Sequence, residues 1–263
     1  MQRYLVFLVL SLLLLSTSCI STKKLSYLQE EKASVDSIVE VHRLNKPYRV
    51  QVGDLLSIRV KALDQDIVGM FNPIDEGNVN ATGEERMYYD GFSVDEHGNI
   101  RVPTLGEVNV MGYTVEEIRE RIEERLLSEY FKQEANIFVT VKLAGIRYTT
   151  IGEIGAGSNV LYKERVTIME AIANAGGISD VGNREDVKIL RQYPHGEEVH
   201  HIDLTNLDAV KSEYYYIQPN DLIIVDPLPQ KSLGAGTTGI ESFRTIGTVI
   251  SLISTSILLF TRF

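Results

Sequence analysis

The chain has 263 residues, one cysteine, no tryptophan and a formal net charge of −10. That length suits about two ordinary domains. The acidic balance comes with no block of Lys or Arg, so nucleic-acid binding has no electrostatic footprint. A single cysteine excludes an internal disulfide.

The N-terminus carries Arg3, an uninterrupted apolar run from Leu5 to Leu15, and then Ser16, Thr17, Ser18 and Cys19. A positive start, a short apolar core and small residues at a cleavage site predict a signal peptide over residues 1–18. The core is too short for a membrane span of about 20 residues. Cys19, directly after Thr17-Ser18, reads as the acylated cysteine of a lipobox. Ser16 departs from that pattern, which favours Leu at this place, and the competing reading is plain secretion with a free thiol. Residues 19–47 are polar and mixed in charge, and predict a lipidated N-terminus and tether leading to the first domain.

Residues 48–60 predict a strand, a turn at Gly53-Asp54 and a second strand. Residues 64–91, rich in Asp, Gly, Asn and Glu, predict an insertion or long loop. Short strands follow at Phe92–Val94, Ile100–Val102 and Gly106–Val110. Thr114 with Glu117 three residues on is a capping box, and Val115, Ile118, Ile122 and Leu126 give the helix one apolar face. Glu117 and Arg121 are spaced to pair across one turn. Alternating Ile137, Val139 and Val141 predict a strand over Asn136–Leu143.

A second unit begins near Arg147, with a strand over Tyr148–Ile154 and a turn at Gly155–Gly157. Thr167 and Glu170 form another capping box, Ile168, Ala171, Ile172 and Ala175 an apolar face, and Gly176-Gly177 a helix stop. Strands are predicted at Val187–Arg191, Val199–Leu204 and within 215–225. The segment Tyr48-Arg-Val-Gln-Val-Gly-Asp-Leu-Leu is echoed by Tyr215-Tyr-Ile-Gln-Pro-Asn-Asp-Leu-Ile. The fold class expected is α+β: two small mixed-sheet domains, residues 48–145 and 146–228, then a linker over 229–239.

Residues 240–263 predict a membrane-crossing amphipathic helix. On a helix, Thr248, Ser251, Thr255 and Arg262 fall near one face, and Ile246, Val249, Ile250, Ile253, Ile257 and Phe260 fall on the other. A ring of such helices would turn the hydroxyl face to a water-filled lumen, which makes these four the candidate pore-lining residues. The competing reading is a lone tail anchor, whose Ser and Thr side chains bond back to their own helix carbonyls.

No constellation suits catalysis, and no cofactor is expected. Asp95, Glu96 and His97 sit at a turn marked by Gly98-Asn99. His195, His200 and His201 lack metal-ligand spacing. Gly152–Gly157 lacks the Lys of a phosphate loop. No carboxylate pair suits glycoside hydrolysis. Asp54 and Asp221 read as turn formers that bond local amides. Tyr214, Tyr215 and Tyr216 offer faces on which sugars could stack, although strand alternation would bury one or two.

Two sets of segments carry a family resemblance. Tyr48 to Val60, Val94-Asp-Glu-His-Gly-Asn-Ile-Arg-Val-Pro-Thr-Leu-Gly-Glu-Val and Gly112-Tyr-Thr-Val-Glu-Glu-Ile resemble the polysaccharide export domain of Wza-type bacterial outer-membrane lipoproteins. Ile151-Gly-Glu-Ile-Gly, the segments Thr167 to Gly177 and Val187 to Arg191, and Ile217-Gln-Pro-Asn-Asp-Leu-Ile are similar to the soluble ligand-binding β-grasp domain that follows it. The resemblance implies a homo-oligomeric ring held in the outer membrane by lipid on Cys19, with its folded domains in the periplasm and polysaccharide as transported substrate. It also implies an inner-membrane polysaccharide co-polymerase, often joined to a tyrosine kinase, as partner. The alternative is a monomeric, envelope-anchored polysaccharide-binding or scaffold module without a pore.

Overall fold

Alternating apolar residues build the first unit. It runs β1 (Leu55–Lys61), β2 (Phe92–Ser93), β3 (Asn99–Val102), β4 (Gly106–Asn109), α1 (Val115–Glu129) and β5 (Phe138–Leu143). The computed structural model describes residues 21–30, 47–62, 68–72, 88–131 and 136–232, with 247, 248, 250, 251, 254 and 255 near the C-terminus. β1 lies between β2 and β5 in an antiparallel sheet, and β3 and β4 form a separate hairpin. Leu56, Ile58 and Val60 of β1 share one buried core with Ile118, Ile122 and Leu126 of α1. Both bonds of the predicted capping box are present: Glu117 N–H donates to Thr114 Oγ1, and Thr114 N–H donates to the Glu117 carboxylate. Glu117 pairs with Arg49 instead of Arg121, whose guanidinium lies 4.4 Å over the Tyr113 ring.

Two expectations for this unit need correction. Residues 48–52 do not form a hairpin with β1. Val50 exchanges backbone bonds with Gly112 and Tyr113, so this segment lies beside the entrance to α1. The region read as a long loop also reaches the core, because Phe71 is buried there. The Asn72 amide accepts from Val60 N–H and donates to Val60 C=O, so a side chain serves as hydrogen-bond partner where β2 is too short to reach.

The second unit runs β6 (Ile146–Gly152), β7 (Gly157–Leu161), β8 (Val166–Thr167), α2 (Ile168–Asn174), β9 (Gly182–Tyr193), β10 (Gly196–Ile202), β11 (Tyr216–Ile217), β12 (Asp221–Pro227) and the short α3 (Pro229–Ser232). Its five-stranded sheet has the order β10-β9-β12-β6-β7, antiparallel except for the central β12-β6 pair. The architecture is therefore mixed α/β, with several sheets and few helices. β7 went unread in the sequence because Gly157-Ser-Asn lacks alternation, and β9 outruns the predicted Val187–Arg191 at both ends. α2 has both capping-box bonds, from Thr167 and Glu170. Lys163, followed by the Thr167 amide and hydroxyl, holds the Glu170 carboxyl down to about 2. The hydroxyl of Tyr148, a fully buried residue, donates to Ala171 C=O and so ties β6 to the middle of α2. Gly152 and Gly155 permit close backbone contacts, since a Cβ there would fall 2.1 Å from Val225 O and 1.9 Å from Ala175 O.

The stretch read as a tether to the first unit docks on the second one over residues 21–30. Leu28 N–H donates to Leu204 C=O and Gln29 N–H to Thr205 C=O, while Lys24 pairs with Glu185 at 2.9 Å. Tyr27 lies over the guanidinium of Arg184, a buried side chain that also donates to Gly182 and Ile178 carbonyls. Two apolar residues, Tyr27 and Leu28, gain a place on the second core. Residues 1–20, including Cys19, and most of 31–46 and 233–263, including Arg262, lie outside the described residues. Among the described residues no helix is long and apolar enough to cross a membrane.

The α1 face and its cap should differ in weight. Leu126→Ala removes a fully buried side chain and is expected to cost about 2–5 kcal/mol, against about 1 kcal/mol for Thr114→Ala. Urea titration of the full chain measures both. A Thr114→Ala loss as large as that of Leu126→Ala would show that the cap, not the packed face, holds the helix.

Candidate functional site

The two echoed segments fold into the same turn, and the two turns meet where the units join. In Gln51-Val-Gly-Asp54 and Gln218-Pro-Asn-Asp221, the backbone N–H of each Asp donates to the C=O of its Gln. Each Asp carboxylate accepts in return from the Gln N–H, at 2.8 Å in both turns. The third residue has positive φ, +85° at Gly53 and +67° at Asn220, as a type II turn requires. Both aspartates are buried, and Asn220 Nδ2 lies 3.5 Å from Asp54 Oδ1 across the junction. A second contact runs from Gln51 Nε2 to Gln192 C=O at 3.3 Å. The covalent connection is short, because β5 ends at Leu143 and β6 begins at Ile146.

The carboxylates differ in their further partners. Asp221 takes a two-pronged contact from Arg191, with Nε–Oδ1 at 2.9 Å and Nη2–Oδ2 at 2.7 Å, both side chains buried. Asp54 accepts from the Tyr48 hydroxyl at 2.6 Å. Burial pushes the Asp54 carboxyl above its ordinary range, while the Gln51 amide and Tyr48 hydroxyl pull the other way. Burial, helped by the Asp54 charge, pushes the Tyr48 phenol up. The turn role read for Asp54 and Asp221 is what the bonds show, and the Arg191 and Tyr48 partnerships went unread. Neither partner lies at a regular spacing from its aspartate, so no pattern marked them.

The predicted sugar-stacking tyrosines are already engaged. Tyr214 stacks on His200 at 3.9 Å, Tyr215 packs on the second core, and Arg165 lies 4.1 Å over Tyr216. His195 and His200 share Glu198 and Tyr193 as partners, and His201 meets Asp186 on its own. Of the predicted pore-lining set, Thr248, Ser251 and Thr255 are helical and exposed. The Thr255 hydroxyl donates back to Ser251 C=O.

The raised acid sets a sign for pH. Folded Asp54 holds its proton more tightly than unfolded Asp54, so its contribution to stability is full below the ordinary value of 3.8 and is lost as pH rises through the raised one. Asp54→Asn should therefore fall less steeply than wild type above pH 4 in urea midpoints measured from pH 4 to 7. Parallel curves would contradict the assignment. Asp54→Ala, which orphans the Gln51 amide and Tyr48 hydroxyl, is expected to cost about 1–3 kcal/mol.

Comparison with known proteins bears on this chain in two ways. The family model described as polysaccharide biosynthesis/export protein matches residues 42–143. The capsule polysaccharide export protein BexD of Haemophilus influenzae is 28% identical over 195 residues, which is 72% of this chain and 46% of that protein. The EPS I polysaccharide export outer membrane protein EpsA of Ralstonia nicotianae is 27% identical over 155 residues, 55% of this chain and 39% of that one. The chain thus spans less than half the length of either relative. The matched segment holds the first unit and the Asp54 turn, and with these relatives it makes the chain similar to polysaccharide export proteins of the Wza type.

Proposed function

We propose that the chain is a subunit of an oligomeric outer-membrane translocon that exports capsular or extracellular polysaccharide. The observation that carries this reading is where the two chain ends leave the fold. Residues 24–27 contact Arg184 and Glu185, and Leu228 N–H donates to Val181 C=O with Pro227 opposite Gly182. Both ends therefore leave from the start of β9. The first unit touches the far end of that strand, at Gln192, about 30 Å away at the rise of an extended strand. In the sequence, Cys19 is two residues before Ser21, the first residue of the docked segment. A lipid on Cys19 and a helix over 240–263 would then hold the subunit to one bilayer by one pole, with both domains projecting into the periplasm. The second unit, read as a ligand-binding β-grasp domain, would be membrane-proximal.

In that arrangement Thr248, Ser251, Thr255 and Arg262 line the lumen of a helical barrel. Tyr214 and Tyr216 offer polymer an edge, because protein groups cover a face of each ring. The family is one of export proteins, and the reading assigns no bond-making step to this subunit. The polymer would arrive from an inner-membrane co-polymerase, which the resemblance alone implies. The alternative, a monomeric anchored polysaccharide-binding or scaffold module, draws on the Thr255 hydroxyl turning back to its own helix as in a lone helix.

Deleting residues 240–263 separates the two. The translocon reading expects surface polymer to be lost while the truncated protein keeps its wild-type urea midpoint. Unchanged surface polymer would remove the pore role. Cys19→Ser, followed with a fatty-acid analogue, should lose the label and membrane delivery but leave the fold intact. Labelling that persists in Cys19→Ser would contradict lipidation at this residue.

A further inference from the structure

The junction of the two units encloses a cleft of about 180 Å³. Ser93 and Leu143 of the first unit line one side, and Arg147, Tyr162 and Asn220 of the second line the other. The volume is below that of a drug-sized pocket and suits one ring of a longer chain. Tyr162 is 58% exposed and has no ring partner among the described residues. Tyr88, 67% exposed, stands at the same cleft. Arg147 is exposed, and its guanidinium has no ion-pair partner among the described residues. The acid in the cleft wall, Asp54, is turned inward, with its oxygens engaged by Tyr48, Gln51 and Asn220. The cleft therefore presents an uncommitted guanidinium beside the open ring of Tyr162, in a protein whose net charge is −10.

We propose that this cleft is a subsite for one acidic sugar residue of the exported polymer, an inference that rests on the export reading above. The apolar face of the sugar ring stacks on Tyr162, and its carboxylate takes the fork of Arg147. Asn220 and Ser93 supply neutral hydrogen-bonding groups at the rim. Because the cleft is formed by both units, the position of a sugar in it depends on the junction of the paired turns. A chain held this way is tethered by one residue at a time, which suits weak, repeated contact during passage. Tyr214, Tyr215 and Tyr216 lack this combination, since their rings already have protein partners.

The test puts a photo-crosslinking p-benzoylphenylalanine at Ser93 in the full chain, inside the producing cell, with a second strain carrying it at Val199. Val199 is 51% exposed on β10 and is not part of the cleft. Irradiation should join polymer to the Ser93 probe at least fivefold more than to the Val199 probe. Adding Tyr162→Ala or Arg147→Gln should cut the Ser93 adduct at least fivefold, with Arg147→Lys restoring part of it. Equal adducts at the two positions, in a strain whose surface polymer still depends on this protein, overturn the subsite and leave the export reading standing. An adduct undiminished by Arg147→Gln overturns the acidic-sugar assignment. Surface polymer that persists without this protein removes the export reading itself, and the subsite with it.

Discussion

One turn, closed by a buried carboxylate, is used twice in this chain, and the joining of its two units depends on it. In both turns the amide of the first residue, Gln51 or Gln218, takes a side-chain acceptor as its partner. Asp54 and Asp221 each supply that partner from three residues on. Burying a carboxylate is costly unless its oxygens are bonded. In the second turn the charge is met by Arg191, and in the first it is met only by hydrogen-bond donors. The first turn is thus the less compensated of the two, and it is the one that Asn220 approaches from the other unit.

The segments that resemble known export proteins include these turns, both capped helix starts and the glycines that let strands approach. Gly53 and Asn220 are needed for their backbone conformation. Gly152 and Gly155 are needed because carbonyls of β12 and of the end of α2 occupy the space a side chain would take. Motifs of this kind record how the chain folds. The candidate binding groups lie outside them, Arg147 on β6 and Tyr162 directly after β7, and both side chains are exposed.

Local signals in the sequence were readable where the physics is local. Both helices start at capping boxes that involve residues three apart, and both bury the face that their periodicity marks. β10 was legible because His200, Ile202 and Leu204 alternate cleanly with exposed neighbours. Tyr48–Gln51 looked like half of a hairpin because it too alternates, but its partner is the entrance to α1, more than 60 residues away. The docking of residues 21–30 was unreadable for the same reason, since Tyr27 and Leu28 are ordinary apolar residues until Arg184 and Leu204 are brought beside them. The repeated segment was visible in the sequence. That its copies meet at the junction required the fold.

The docking of residues 21–30 gives the molecule a direction. A segment read as a tether to the first unit instead places the N-terminal end beside the C-terminal exit, at the start of β9. Imaging the full chain extracted in detergent tests the central claim most directly. The account predicts a ring with the detergent belt against the second unit and the first unit farthest from it. A monomer, or a belt at the first unit, would contradict it.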